Sequence, residues 1–225
     1  MIKKELLIII PARENSKGIK FKNLLKIKNI PLVIKTLNFA KQIKIEKIIF
    51  CSTDSLKIKK LVEKNGVTIP ILRPKKISGH LSRDIDFVNH AIAHYYKNNF
   101  CFKNCAILRP TSPYRNIKTF NKAYNFFIKK KSDSLKGIFP SVKTPYKTWT
   151  IKNGFLKNVA KLNIKEPFNA PRQILPQTFF QTGGIEFVKL NYAKRINSIS
   201  GKKILGYIVS EKESIDIDTI NDLKV

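Results

Sequence analysis

Residues 6–23 read LLIIIPARENSKGIKFKN, and this stretch decides how the rest of the chain is read. Five consecutive apolar residues are what a strand covered on both faces requires. The run stops at Pro11, and a loop follows that holds Arg13, Ser16, Lys17, Gly18, Lys22 and Asn23. A surface turn needs a glycine and some polar residues, but not three cations spaced along a short loop. In a parallel sheet with helices on both faces, ligands gather at the carboxyl ends of the strands, where this loop sits. Gly18 lets the backbone approach an anion closely, and successive N–H groups can point at it. The loop therefore has the makings of a phosphate cradle. Neither GxxxxGK[ST] nor GxGxxG is present, which argues against a P-loop NTPase and a dinucleotide site.

Outward from that strand, elements alternate. Residues 30–43 carry apolar positions at helical spacing, with Pro31 in the first turn. Residues 47–54 (KIIFCSTD) read as a second buried strand, and 55–66 as an amphipathic helix stopped by Gly66. A short strand is expected over 67–72 (VTIPIL), a helix over 83–98, and a strand over 104–113 that runs into RPTSP. Another helix is expected over 116–130 and another strand over 134–142. The alternation predicts an α/β fold with a mostly parallel sheet and flanking helices. The polar clusters ARENSKG, CSTD and RPTSP all fall at strand ends. From about residue 143 the pattern breaks into a Pro-, Asn- and aromatic-rich stretch. It reads as an insertion of short strands and loops suited to packing on another copy of the chain. Regular structure resumes with IEFVKL, KILGYIVS (203–210) and ESIDIDTINDLKV.

A chain of 225 residues can bury one substantial core, so a single domain is expected. The formal charge of +29 invites a nucleic-acid reading. Only 7 of the 44 basic residues are arginine, however, and lysine is spread through nearly every segment. A nucleic-acid binder concentrates charge and favours the arginine fork. A solvated lysine-rich surface, which still attracts small anions, is the preferred reading, with no nucleic-acid partner. No apolar run is long enough to span a bilayer. The start MIKKELLIIIPAR lacks a small-residue cleavage site, so a cytoplasmic protein without a membrane partner is expected. Cys51, Cys101 and Cys105 are odd in number and form no CxxC pair, which fits reduced structural thiols.

Two further stretches carry chemistry. In SIDIDT (214–219), residues two apart share a side if the segment is extended. Asp216 and Asp218 then face one way while Ile215 and Ile217 face the core. Two close carboxylates suit Mg²⁺, which takes one or two of them and completes its shell with phosphate oxygens and water. An acidic turn capping a final helix at Asp218 or Thr219 accounts for the same pattern. In PRQILPQTFFQTGG (171–184), Arg172 is a fork for a carboxylate, and Phe179 and Phe180 can wall a sugar pocket. Taken alone, that stretch is better read as a Pro-rich structural loop with a buried aromatic pair.

Taken in order, ARENSKG…KN, CSTD, RPTSP, PRQILPQ and ESIDIDT resemble the acylneuraminate cytidylyltransferases, over about residue 6 to the C-terminus. The resemblance implies a Rossmann-like nucleotide-diphospho-sugar transferase fold. It implies a homodimer in which residues 143–175 form a dimerisation insertion. It also implies Mg²⁺-dependent transfer of CMP from CTP to a nonulosonic (sialic-type) acid, with release of pyrophosphate. Carried over by position, Ala12, Arg13, Ser16, Lys17, Gly18, Lys22, Asn23 and Ser52 bind the nucleotide. Arg109, Thr111, Ser112, Arg172, Gln173, Phe179 and Gln181 bind the sugar. Asp216 and Asp218 hold the metal, and Arg13, Lys17, Lys22 and Asp216 carry the catalysis. The chain departs from the family pattern at three places. Arg109 stands where glutamine usually precedes PTSP, and Gly79, His80 and Leu81 where an Asp-Thr pair usually follows RP. Thr182 stands where asparagine usually precedes the late glycine. Arg109 and Thr182 fall on the acceptor side, so another sugar acid or a sugar phosphate is a second expectation, of the legionaminate, pseudaminate or 3-deoxy-octulosonate type.

Overall fold

The computed structural model describes residues 1–225 apart from Ser16, Lys17, Gly18, Lys20 and Val225 and the side chains of Lys194 and Lys224. In chain order the elements are β1 (Ile2–Pro11), β2 (Lys26–Ile27), β3 (Ile30–Pro31), α1 (Leu32–Gln42), β4 (Lys47–Ser52) and α2 (Leu56–Lys64). They continue with α3 (Asp84–Lys97), β5 (Phe100–Ile107), α4 (Ile117–Lys129) and β6 (Ser134–Pro140). The last are β7 (Trp149–Lys152), β8 (Phe155–Asn158), β9 (Phe179–Lys189), α5 (Leu190–Ile196) and β10 (Ile204–Ile208). Six strands form one sheet in the order β10-β6-β9-β5-β1-β4. β1 pairs in parallel with β4 and β5, and β10 with β6; β9 runs antiparallel to both β5 and β6. The expected α/β fold is the one observed.

The alternation along β1 explains why the sheet is covered on both faces. Leu6, Ile8 and Ile10 join a core shared with α1, α2 and α4, through residues such as Leu37, Val62 and Phe120. Leu7 and Ile9 join a second core with Val88 and Ala91 of α3 and Ala193 of α5. All five are fully buried. At about 1.5–3 kcal/mol per buried aliphatic side chain, this one strand contributes on the order of 10 kcal/mol of gross burial energy.

Two expectations need correction. Residues 67–72 form no strand. Pro70 and Pro74 remove ladder donors there, and the extended chain is held instead by Ile69 N–H on Glu63 Oε1 (3.2 Å) and Arg73 N–H on Thr53 O (2.7 Å). The FFQTGG stretch, read with the loop-rich insertion, is the first half of β9. The C-terminal segment ends in a 3-10 helix, Ile220–Lys224. Asp222 reaches back to accept the N–H groups of Asp218 (2.8 Å) and Thr219 (2.6 Å).

Candidate active site

The carboxyl ends of β1 and β5 open onto a cleft of about 450 Å³. The chain leaving β1 is pinned at once. Ala12 is buried and its N–H donates to Ser52 O of β4 at 2.9 Å. Asn23 Nδ2 donates to Arg13 O (2.8 Å), and Arg13 Nη1 crosses to Gly79 O (2.8 Å), drawing residues 78–83 toward the cleft. A 3-10 turn at Lys22–Leu24 turns Lys22 inward, where its Nζ donates to Asp218 Oδ1 at 3.0 Å. Arg13, Lys22, Asn23 and Asp218 all line the cleft. Ser16, Lys17 and Gly18, assigned to the nucleotide on sequence, lie outside the described residues.

Ser52 stands behind the cleft wall and is fully buried. Its Oγ accepts from Arg73 Nε (2.9 Å) and its carbonyl from Arg73 Nη2 (2.6 Å), while Arg73 Cζ sits 5.0 Å from the Phe87 ring centroid. Ser52 thus aims a guanidinium that itself lines the cleft. Burial lowers the Arg73 pKa to about 10, with Asp54 opposing, so it remains a cation at neutral pH. Sequence reasoning missed Arg73, although a signal was present. In a chain that uses lysine almost everywhere, Arg13, Arg73, Arg83 and Arg109, four of the seven arginines, line this cleft. A planar fork suits a wall that has to grip oxyanions.

The far wall comes from the loop after β5 and from the C-terminal segment. Thr111 lines the cleft, and its carbonyl accepts Ile217 N–H at 2.7 Å. Ile217 is fully buried and Ile215 packs beside it, which leaves Asp216 and Asp218 on the opposite face. The two carboxylates are held differently. Asp216 accepts from Ser112 Oγ and from Gly183 N–H (3.2 Å), one layer behind the cleft surface. Asp218 is 76% exposed, with Lys22 against it. Gly183 is needed for this closeness. A Cβ there would collide with Ser112 Oγ and lie 3.1 Å from Arg109 Cδ and Asp216 Oδ1. Arg115 braces the region from below, donating to Gly184 O (2.7 Å), Thr36 Oγ1 (3.3 Å) and Arg109 O (2.5 Å). Two carboxylates on one face, one of them open to the cleft, suit a hard divalent cation that draws its remaining ligands from a phosphate chain and water. Among the described residues, no group of three or more His, Cys, Asp or Glu could hold a metal by itself.

Arg109 Nη2 reaches both Asp84 Oδ2 and Glu186 Oε2 (3.3 Å), and Glu186 Oε1 holds Lys136 Nζ. Burial lowers the Lys136 pKa to about 8, with Arg109 adding to the effect and Asp84 opposing it. Asp84, Glu186 and Lys136 carried no sequence signal, because their meeting depends on β9 lying between β5 and β6. His80 is exposed at the cleft edge. The remaining sugar-side residues are not brought to this cleft. Arg172 lies in a separate depression with Ser141 and Thr144; Gln173, Phe179 and Gln181 are exposed, Phe179 and Gln181 on the part of β9 that pairs with Pro140 and Ile138 of β6.

Comparison with known proteins agrees with this geometry. Residues 7–99 match the sequence model of the family described as Cytidylyltransferase. The chain is 24% identical over 227 residues to N-acylneuraminate cytidylyltransferase of Escherichia coli O18:K1:H7, covering 98% of itself and 51% of that protein. It is 26% identical over 222 residues to CMP-N,N'-diacetyllegionaminic acid synthase of Campylobacter jejuni, covering 98% and 93%. The fold matches a solved structure of CMP:2-keto-3-deoxy-manno-octonic acid synthetase complexed with CTP, with a TM-score of 0.69, 13% identity, and 98% and 95% of the two chains covered. A basic loop after the first strand, an acidic pair facing it across one cleft, and a match to the Cytidylyltransferase model that begins within that first strand point one way: the chain is similar to the cytidylyltransferases and is a nucleotidyltransferase.

Proposed function

We propose that this protein transfers CMP from CTP to a nonulosonic acid with release of pyrophosphate, in the cytoplasm and as a homodimer. The observation that carries the proposal is the 3.0 Å approach of Lys22 Nζ to Asp218 Oδ1. It brings the basic loop and the acidic pair, 196 positions apart, to one cleft. The nucleotide's phosphates lie between Arg13, Lys22 and Arg73, and Ser16, Lys17 and Gly18 are assigned to the same nucleotide by the resemblance. One cation near 4 Å of a phosphate charge interacts by about 4 kcal/mol at intermediate dielectric, so several cations match a polyanion well. The acceptor's anomeric hydroxyl attacks the α-phosphorus in line. The new O–P bond forms as the bond to the β-phosphate oxygen breaks, and pyrophosphate leaves with the electron pair. The hydroxyl proton is taken at the carboxylate edge of Asp216 and Asp218. Arg13, Lys17 and Lys22 stabilise the charge developing on the phosphates. Asp218, with Asp216 behind it, would hold Mg²⁺, which supplies charge neutralisation and orientation of the phosphate chain.

The acceptor is the finer part of the proposal. Relatives named for N-acylneuraminate, diacetyllegionaminic acid and pseudaminic acid lie at similar identity, 24–26%, so a legionaminate- or pseudaminate-type acid is the second reading. Dimerisation would place the β7–β8 hairpin and residues 143–175 against a second copy. Exposed Val142, Ile151, Phe155, Leu156 and Ile174 in and beside this region support that. Arg172, Gln173, Phe179 and Gln181 would then serve the acceptor across the subunit boundary. The test is pyrophosphate release from CTP, UTP and GTP with N-acetylneuraminate, diacetyllegionaminate, diacetylpseudaminate and 3-deoxy-manno-octulosonate. The expected result is Mg²⁺-dependent release with CTP and one of the N-acylated acids. Release with no pair removes the proposal.

A further inference from the structure

Arg109 looks like a cation added to the acceptor side of the cleft, and its surroundings contradict that appearance. Its guanidinium forks onto Asp84, with Nη2 on Oδ2 and Nη1 3.5 Å from Oδ1. The same Nη2 reaches Glu186 Oε2 at 3.3 Å. Glu186 is 2% exposed and shares its other oxygen with Lys136, itself 8% exposed. Lys136, Glu186, Arg109 and Asp84 thus form one chain of two cations and two carboxylates, with no net charge. It spans β6, β9, the loop after β5 and the start of α3. Its buried end is fixed, because a desolvated carboxylate stripped of a partner is strongly destabilising. Its cleft end is open, with Arg109 27% and Asp84 35% exposed and both lining the cleft.

We infer that Arg109 is a specificity-determining residue whose charge is cancelled before substrate arrives, so that this wall accepts an uncharged hydrogen-bonding substituent of the acceptor and turns away a second anionic group. An incoming anion that approached Arg109 would also meet the Asp84 carboxylate at contact range, so repulsion offsets the attraction. A hydroxyl or N-acylamino group meets no such conflict. The wall offers it N–H donors from Arg109 and a lone pair from Asp84, the two halves that an amide or hydroxyl needs. The acceptor's own carboxylate must then be met elsewhere, by a cation whose charge is not already spent. The inference rests on the cytidylyl transfer proposed above.

The experiment compares kcat/KM with CTP for the best N-acylated nonulosonic acid of the panel and for N-acetylneuraminate 9-phosphate. Wild type is expected to favour the former by at least about 100-fold. In Asp84→Asn, which keeps the shape and frees Arg109, that ratio should fall about tenfold or more, with KM for CTP within about twofold of wild type. Arg109→Gln, which leaves Glu186 on Lys136, should raise the acceptor KM at least about tenfold with the same small effect on CTP. Thermal melting of each variant confirms a folded protein. Turnover with an unchanged ratio in Asp84→Asn, or equal effects on both substrates in Arg109→Gln, overturns the inference alone. Absence of any pyrophosphate release in wild type overturns the proposed function and the inference with it.

Discussion

Lys22 Nζ lies 3.0 Å from Asp218 Oδ1, and the pair joins the first loop of the chain to its last segment. The lysine is 11% exposed and the aspartate 76%, so the pair sits at the mouth of the cleft with its carboxylate in water. Each partner offsets a charge that a metal-bound nucleotide would otherwise engage. Substrate binding under the proposed mechanism exchanges this pair for phosphate on one side and cation on the other.

Asp218→Asn follows directly. The amide retains the contact with Lys22 but loses the negative charge, so Mg²⁺-dependent pyrophosphate release should drop at least about 100-fold. The melting temperature should move by about 2 °C or less, because solvent-exposed ion pairs contribute little stability. Unchanged turnover would remove the metal assignment.

Arg172 lies outside the cleft of its own chain. Under the dimer proposal Arg172→Ala should raise the acceptor KM at least about tenfold, with KM for CTP changed about twofold or less. Mixing it with a cleft-dead Asp218→Asn chain should restore part of the activity, since one hybrid cleft would have both residues intact. Parallel losses for both substrates, or no recovery on mixing, would count against a carboxylate role across the boundary.

Gly183→Ala forces a methyl group into Ser112 Oγ and toward Asp216. Overpacking of this kind costs about 1–3 kcal/mol. Here it should also part Ser112 from Asp216, lowering kcat more than it raises either KM. A fully active, equally stable variant would show that the Asp216 clamp is dispensable.

The thiols separate by burial. Cys51 and Cys105 are fully buried, and burial pushes the Cys51 pKa up to about 12 and that of Cys105 higher still. Cys101 is half-buried. Iodoacetamide at pH 8 should therefore modify one thiol per native chain, at Cys101, and three in guanidinium. Rapid loss of two or more thiols from the native protein would contradict this packing.

His90 gives a pH dependence. Its Nδ1 is buried without a hydrogen-bond partner, and burial, then Arg73 and His94, lower its pKa from the ordinary 6.5. As pH falls below 6.5 the unfolded chain takes up this proton before the folded one does, so stability declines with acid. His90→Phe, beside Phe50, should make chemical-denaturation stability fall less steeply between pH 6.5 and 5 than in wild type. An identical slope would exclude His90 as a contributor.

The sheet was legible because LLIII admits few readings other than a doubly covered strand, and the alternation in SIDIDT set the side of Asp216 and Asp218 correctly. What escaped reading was whatever depends on strand direction. Periodicity reports which residues are buried, not which way a strand runs. The reversal of β9 was therefore invisible, and with it the meeting of Glu186 with Arg109 and Lys136. Residues 67–72 had the apolar content of a strand but lacked the donors, which Pro70 had already indicated. Ser52 was placed with the nucleotide by the resemblance, from its position in CSTD at a strand end. Its hydroxyl is instead spent on Arg73, and the guanidinium takes its place at the surface.

The even and odd residues of β1 belong to different layers of the protein, so losing that strand strips packing from both. Heat should dismantle both in one cooperative step, carrying the cleft at the strand's end with them. A protein wired this way loses activity and structure together, with no partly folded form left to salvage either.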